Sequence, residues 1–184
     1  MSALRSYKGI SPKTGQGVYI DSTSVIVGDV QIGDQSSVWP LVSARGDVNS
    51  IKIGERTNIQ DGSVLHVTHK NKKNPQGYPL IIGNEVTIGH KVMLHGCIIK
   101  NRVLVGMGSI LLDGAIIEDE VIIGAGSLVP PGKTLESGYL YLGSPVKQAR
   151  PLTEDERAFL VKSADNYVQN KNDYLNEIMP VQQD

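Results

Sequence analysis

Residues Leu80 to Val129 read LIIGNEVTIGHKVMLHGCIIKNRVLVGMGSILLDGAIIEDEVIIGAGSLV. An aliphatic side chain returns every six positions. Ile82, Ile88 and Leu94 come first; after one five-residue step follow Ile99, Val105, Leu111, Ile117, Ile123 and Val129. Four residues beyond most of these stands something small or β-branched, such as Val86, Val92, Val103, Ser109, Ala115, Val121 and Ser127. Glycine often follows the lead residue, as at Gly83, Gly89, Gly106 and Gly124. A period of six belongs neither to a helix nor to a simple strand. It is the hexapeptide repeat of a parallel β-helix, an all-β solenoid in which three hexads close one triangular coil. The lead residues then point inward and stack from coil to coil. Burying each contributes roughly 1.5–3 kcal/mol.

Working outward, the repeat predicts a solenoid over residues 18–150. Its phase starts at Ile20 and runs through Ile26, Ile32, Val38 and Ala44, with small partners Ser24, Val30, Ser36, Val42 and Val48. The spacing stretches between Ala44 and Ile53, then resumes at Ile59 and Leu65. Residues 68–79, THKNKKNPQGYP, drop the pattern. Their lysines, prolines and glycine mark a protruding loop, expected to replace part of one coil. Residues 1–17 read as an extended lead-in. Beyond Pro151, Thr153 and Glu156 form a capping box. Phe159, Leu160, Ala164, Tyr167, Val168, Lys171, Leu175 and Ile178 then trace an amphipathic helix within 151–179. It is expected to lie along the outside of the prism. Residues 180–184 read as a frayed tail.

Composition narrows the function. The chain of 184 residues carries a net charge of −1, so no global field recruits nucleic acid or an anionic membrane. The single cysteine, Cys97, excludes a disulfide framework and a cysteine-rich zinc site. No apolar run approaches a membrane span, and the N-terminal residues lack the apolar core of a signal peptide. A soluble, cytoplasmic protein is expected. One Phe and one Trp beside 20 Gly suit the narrow interior of a solenoid better than an aromatic core.

All the histidines fall in one window: His66, His69, His90 and His95. Three imidazoles suit zinc, with a fourth position left for water. Cobalt or iron(II) suit the same donors. His66 and His95 directly follow the lead residues Leu65 and Leu94, where glycine is otherwise common. His90 lies two past Ile88 and should project outward. Nearly one face separates His90 from His95, so one chain does not bring both to one ion, whereas a three-fold homotrimer can. The plainer reading makes these solvated wall residues, and for His69, at the start of a lysine-rich loop, that reading is the stronger. Asn58 and Gln60 can hydrogen-bond a metal-bound water or an anionic substrate, although Asn58 also suits a tight corner. Arg45 and Asp47 are either a surface ion pair of little value or an intersubunit pair that sets the register of a trimer.

At these residues the sequence resembles a known family. Arg45–Gly46–Asp47, NIQDGSVLH at 58–66 and IGHKVMLHGC at 88–97 look like the gamma-class carbonic anhydrases, in their small bacterial, YrdA-like branch. The resemblance implies a left-handed β-helix homotrimer with a C-terminal α-helix and zinc at each subunit interface. His66 and His95 of one subunit and His90 of its neighbour would be the ligands. Gln60 would bond the zinc-bound water. Arg45 and Asp47 would pair across the interface, supported by Asp61. Tyr141 falls where the family has an active-site tyrosine; a strand-face aromatic is the alternative, with Tyr139 a near competitor. The implied activity is reversible hydration of CO2 to bicarbonate by zinc-bound hydroxide.

Three departures from the pattern bear on activity. The family's glutamate after Arg-Gly-Asp is Val48 here. Its acidic loop is basic here, with His69 the one candidate proton relay. An asparagine near the tyrosine is Gly143. Weak or absent turnover in isolation is therefore expected. The competing readings are a non-catalytic metal-binding scaffold and a hexapeptide acyltransferase using a histidine as general base.

Overall fold

The computed structural model describes residues 3–177. The chain winds as a left-handed parallel β-solenoid of triangular section, followed by one helix. One face holds Val64–His66, Met93–His95, Ile110–Leu111 and Leu128–Val129. The second holds Leu80–Ile82, Ile98–Ile99, Ile116–Ile117 and Thr134–Leu135. The third runs from Tyr19–Ile20 through Asn58–Ile59 and Thr87–Ile88 to Tyr139–Leu142. Two longer strands, Val25–Ile32 and Ser43–Ile53, pass over the edge between the first two faces.

The hexads explain this winding. Ile82, Ile99 and Ile117 lie in register on adjacent coils and are 0–2% exposed. The serines at partner positions are buried too, and the hydroxyls of Ser24, Ser36, Ser63 and Ser109 donate to a neighbouring coil's backbone. Ser63 Oγ reaches the Gly89 carbonyl at 3.0 Å and Ser36 Oγ that of Gly54 at 2.7 Å. A small residue fits there because its hydroxyl is satisfied locally. Each corner needs a residue in the left-handed region. On four successive coils the residue at the corner before the third face is charged: Arg56, Glu85, Arg102 and Glu120 have φ of 52–56°. Arg56 pairs with Glu85 at 3.3 Å and Arg102 with Glu120 at 3.2 Å, so opposite charges offset some of the conformational cost.

Four features differ from expectation. Within the expected lead-in, residues 4–14 already join the solenoid, since Leu4–Arg5 and Lys13–Thr14 pair with Val25–Ile32. Val48 does not serve as an inward partner but is 46% exposed; the stretched segment bulges out and Ile51, fully buried, takes the inward place. The opposing strand shifts register between Gly28 and Val30 to match. The 68–79 loop replaces no strand: Val64–His66 and Leu80–Ile82 occupy successive faces, and the loop is an excursion from the corner between them. Finally, Phe159 and Leu175 of the helical stripe are exposed.

The helix α1 (Glu154–Glu177) packs along the third face. Leu160, Ser163, Ala164 and Lys171 are buried. Burial pushes the Lys171 ammonium's pKa down, while its stem fills the stripe. Tyr167 and Tyr174 stack edge-on against Trp39, with centroids 5.7 and 4.9 Å away. Arg56 to Asp165 and Arg157 to Glu120 fasten the helix to the charged corner. Ile178 and residues 180–184 lie outside the described residues.

The capping box forms: Glu156 N donates to Thr153 Oγ1 (3.2 Å), and Thr153 N donates to Glu156 Oε2 (2.9 Å). Arg150 beside Glu156, then the Thr153 N–H, pull that carboxyl from 4.5 to about 2. The folded pKa lies below the unfolded one. Its stabilisation is therefore present above about 4.5 and lost as pH falls toward 2. Acidification through this window should loosen the helix start. Trp39 fluorescence reports it, because the indole rests on the helix tyrosines. The Glu156→Gln variant should lose part of the pH dependence; an unchanged titration would show that this carboxylate does not couple to docking.

Candidate metal centre

His66 and His95 lie in register on adjacent coils at the corner between the first and second faces. His66 Nδ1 and His95 Nε2 face each other at 3.1 Å. Each ring's other nitrogen meets a carboxylate. His66 Nε2 lies 3.1 Å from Asp47 Oδ1, and His95 Nδ1 lies 2.7 Å from Asp113 Oδ1. A carboxylate only accepts, so those nitrogens carry the protons. The facing nitrogens are then two lone pairs, which repel unless a cation lies between them. Ligand nitrogens on one tetrahedral zinc stand about 3.3 Å apart, given bonds of about 2.0–2.1 Å. The donor set therefore fits a metal ion.

His90 sits at the other end of the first face, at its corner with the third. Its Nδ1 lies 3.0 Å from Asp61 Oδ2. Among the described residues of one chain, no group of three or more His, Cys, Asp or Glu could hold a metal ion. Each of the three histidines thus has its own aspartate, yet they occupy two corners. Cys97 adds no ligand: burial pushes its thiol up to about 12.

The auxiliary residues divide the same way. Gln60 lines a cavity of about 320 Å³ with His90, Met107, Phe159 and Tyr167. Its Nε2 donates to Asn58 Oδ1 (3.0 Å), Asn58 Nδ2 donates to Thr87 Oγ1 (3.0 Å), and Thr87 meets Ser163 of the helix at 2.8 Å. With its amide hydrogens directed to Asn58, Gln60 presents its oxygen. Asn58 is a buried link in this chain of bonds, not a solvent-facing corner. Asp47 pairs with Arg45 within the chain, with the Arg45 side chain 51% exposed. Burial tends to raise the Asp47 pKa, but the His66 hydrogen bond and the Arg45 charge bring it below the usual range. Asp61 lies with His90 rather than with Arg45 and Asp47.

Tyr141 stacks beneath Ile123 in the inward column and is 3% exposed. Its hydroxyl accepts from Glu136 N at 2.8 Å, and burial raises its pKa. Tyr141 holds a lead position, which the hexad count alone would have revealed. His69 stands exposed at the root of the loop, beyond the His66–His95 pair. Asp113 was missed. It lies 18 residues, one coil, beyond His95, and counting coils would have found it.

Comparison with known proteins follows the same outline. The bacterial transferase hexapeptide family (six repeats) matches residues 96–131. Protein YrdA of Escherichia coli is 66% identical over 95% of this chain and 95% of its own. A carbonic anhydrase of Geobacillus kaustophilus is 44% identical over 89% of this chain and 86% of its own. The chain belongs to the gamma-carbonic-anhydrase-like hexapeptide-repeat proteins, in the YrdA-like branch. A hexapeptide transferase family protein from Anaplasma phagocytophilum has the same fold, with TM-score 0.86 and 42% identity over 93% of this chain and 97% of that one. Among the described residues no helix is long and apolar enough to cross a membrane.

Proposed function

We propose that this chain is a gamma-carbonic-anhydrase-like metal protein whose sites lie between neighbouring copies in a homotrimer, and that it hydrates CO2 reversibly. One observation carries the reading: three histidines, each beside its own aspartate, divided between the two ends of one face. Metal-ligating histidines characteristically give their second N–H to a carboxylate. The face between the two ends carries an outward column of Val64, Met93 and Ile110, each 38–44% exposed. A second copy covering that column would bring His90 of one chain toward His66 and His95 of the next. Asp61 and Arg45 would then meet across the same seam.

Zinc held by these imidazoles would supply Lewis-acid activation of water at neutral pH; iron(II) or cobalt suits the same donors. The chain's own residues do the rest. Asp47 and Asp113 fix the tautomers of His66 and His95, and Asp61 lies beside His90. Gln60 offers an amide oxygen to a hydrogen-bond donor in the cavity. Phe159 and Met107 give that cavity an apolar wall suited to CO2. Proton removal has weaker support, because Val48 supplies no carboxylate and His69 is the nearest relay on the loop.

Purified protein should retain metal and hydrate CO2 slowly in stopped flow. Val48→Glu, which restores an acid beside Asp47, should raise the rate about 100-fold, the usual order for a positioned acid–base group. Fast turnover by the unaltered chain would contradict the role given to Val48. Bound metal with no turnover in either form would favour a non-catalytic scaffold. Coenzyme A binding without metal would favour the acyltransferase reading.

A further inference from the structure

We infer that the 68–79 loop braces a metal ligand: through Thr68 and Asp113 it holds His95 in the ligating tautomer. This rests on the metal-site reading above. Thr68 Oγ1 donates to Asp113 Oδ2 at 2.7 Å, and His95 Nδ1 donates to Asp113 Oδ1 at 2.7 Å. Both carboxylate oxygens are therefore engaged, one by the loop and one by the ligand. The opposite edge of the imidazole, Nε2, keeps its lone pair toward His66.

Thr68 is itself fixed. Its backbone pairs with Tyr78 in both directions at 3.0 Å, closing the root of the loop. Asn49 Nδ2, on the bulged segment beside Val48, donates to Thr68 O (3.0 Å) and Gln76 O (2.9 Å). Gly96 keeps the passage open. A Cβ there would stand 2.4 Å from Asp113 Oδ1 and 2.6 Å from Tyr78 Cβ, and its φ of +53° suits glycine. A polar loop on a solenoid that otherwise closes its corners in a few residues thus acquires a role. It converts a surface aspartate into a carboxylate held from two sides. Asp113 and Thr68 are positioning residues, acting through His95.

The test uses the full chain, with zinc as the probe. Chelator competition should show zinc affinity falling on the order of 10-fold in Asp113→Asn, in line with loss of a supporting hydrogen bond. It should fall by a smaller factor in Thr68→Val and recover in Thr68→Ser. Nitrogen-15 NMR of the metal-free protein reads the tautomer directly: the His95 proton should reside on Nδ1 in the unaltered chain and shift toward Nε2 in both weakened variants. If the unaltered chain binds no zinc, the metal-site reading fails, and the tautomer shift still tests the brace. If it binds zinc and the variants match it in affinity and tautomer, the brace is overturned. Should Asp113→Asn fail to fold, the Thr68→Val and Thr68→Ser pair decides alone.

Discussion

His90→Ala should strip metal from the protein although His90 touches neither His66 nor His95 within its own chain. The expected loss of affinity exceeds the roughly 10–100-fold that follows loss of a supporting hydrogen bond, because a ligand itself is removed. Compared in the metal-free state, stability should barely change. The imidazole sits at an exposed corner, 46% accessible, with Asp61 as its partner. Surface substitutions of this kind stay within about 0.5 kcal/mol. Chelator competition with zinc, alongside thermal unfolding, separates the two effects. Metal retained at unaltered affinity would mean that His66 and His95 find their remaining ligands without His90.

Ile117→Ala should cost about 2–5 kcal/mol, the usual range for emptying a buried aliphatic site. Ile117 is fully buried between Ile99 and Leu135 in the inward column of the second face. Coils above and below are hydrogen-bonded in register, so they have little freedom to close the gap. Ile116 is the control. It has the same side chain one residue earlier, directed to the opposite side of the strand and only partly buried. Its alanine variant should cost well under half as much. Equal losses in urea unfolding would contradict the alternation on which the winding rests.

Much of this was legible because hexads are a strong signal. The inward column, the serines beneath it, the capping box and the helix on an outer face all follow from local pattern and spacing. The failures share a cause: irregular steps change which residue faces inward. After Ala44 the count continues to Val48, but the bulge gives the inward place to Ile51, and no periodicity marks where a bulge absorbs its extra residues. The step from Leu65 to Ile82 is 17 residues, close to the three hexads of one coil, which concealed that both flanking strands survive. Tyr141 keeps the hexad phase, which places its ring in the inward column.

The histidines were found by type and separated by spacing. Their aspartates were harder. The sequence reading places Asp47 and Asp61 in an interface network, and within the chain each also meets a histidine. Asp113 was overlooked because its contact depends on stacking one coil away rather than on neighbours in sequence. In a solenoid, residues about eighteen apart are the informative pairs, as His95 and Asp113 illustrate.

The central claim is that neighbouring copies share each metal site. Its most direct test is complementation between two defective chains, His90→Ala and His95→Ala, unfolded together and refolded as a mixture. Each alone should hold no metal. Random three-fold assembly from equal amounts should restore about one quarter of the sites, since a site needs one chain with His66 and His95 beside another with His90. Zinc recovered near that level, absent from either variant refolded alone, is the predicted result. A mixture as empty as its components, with assembly demonstrated, would contradict the shared site.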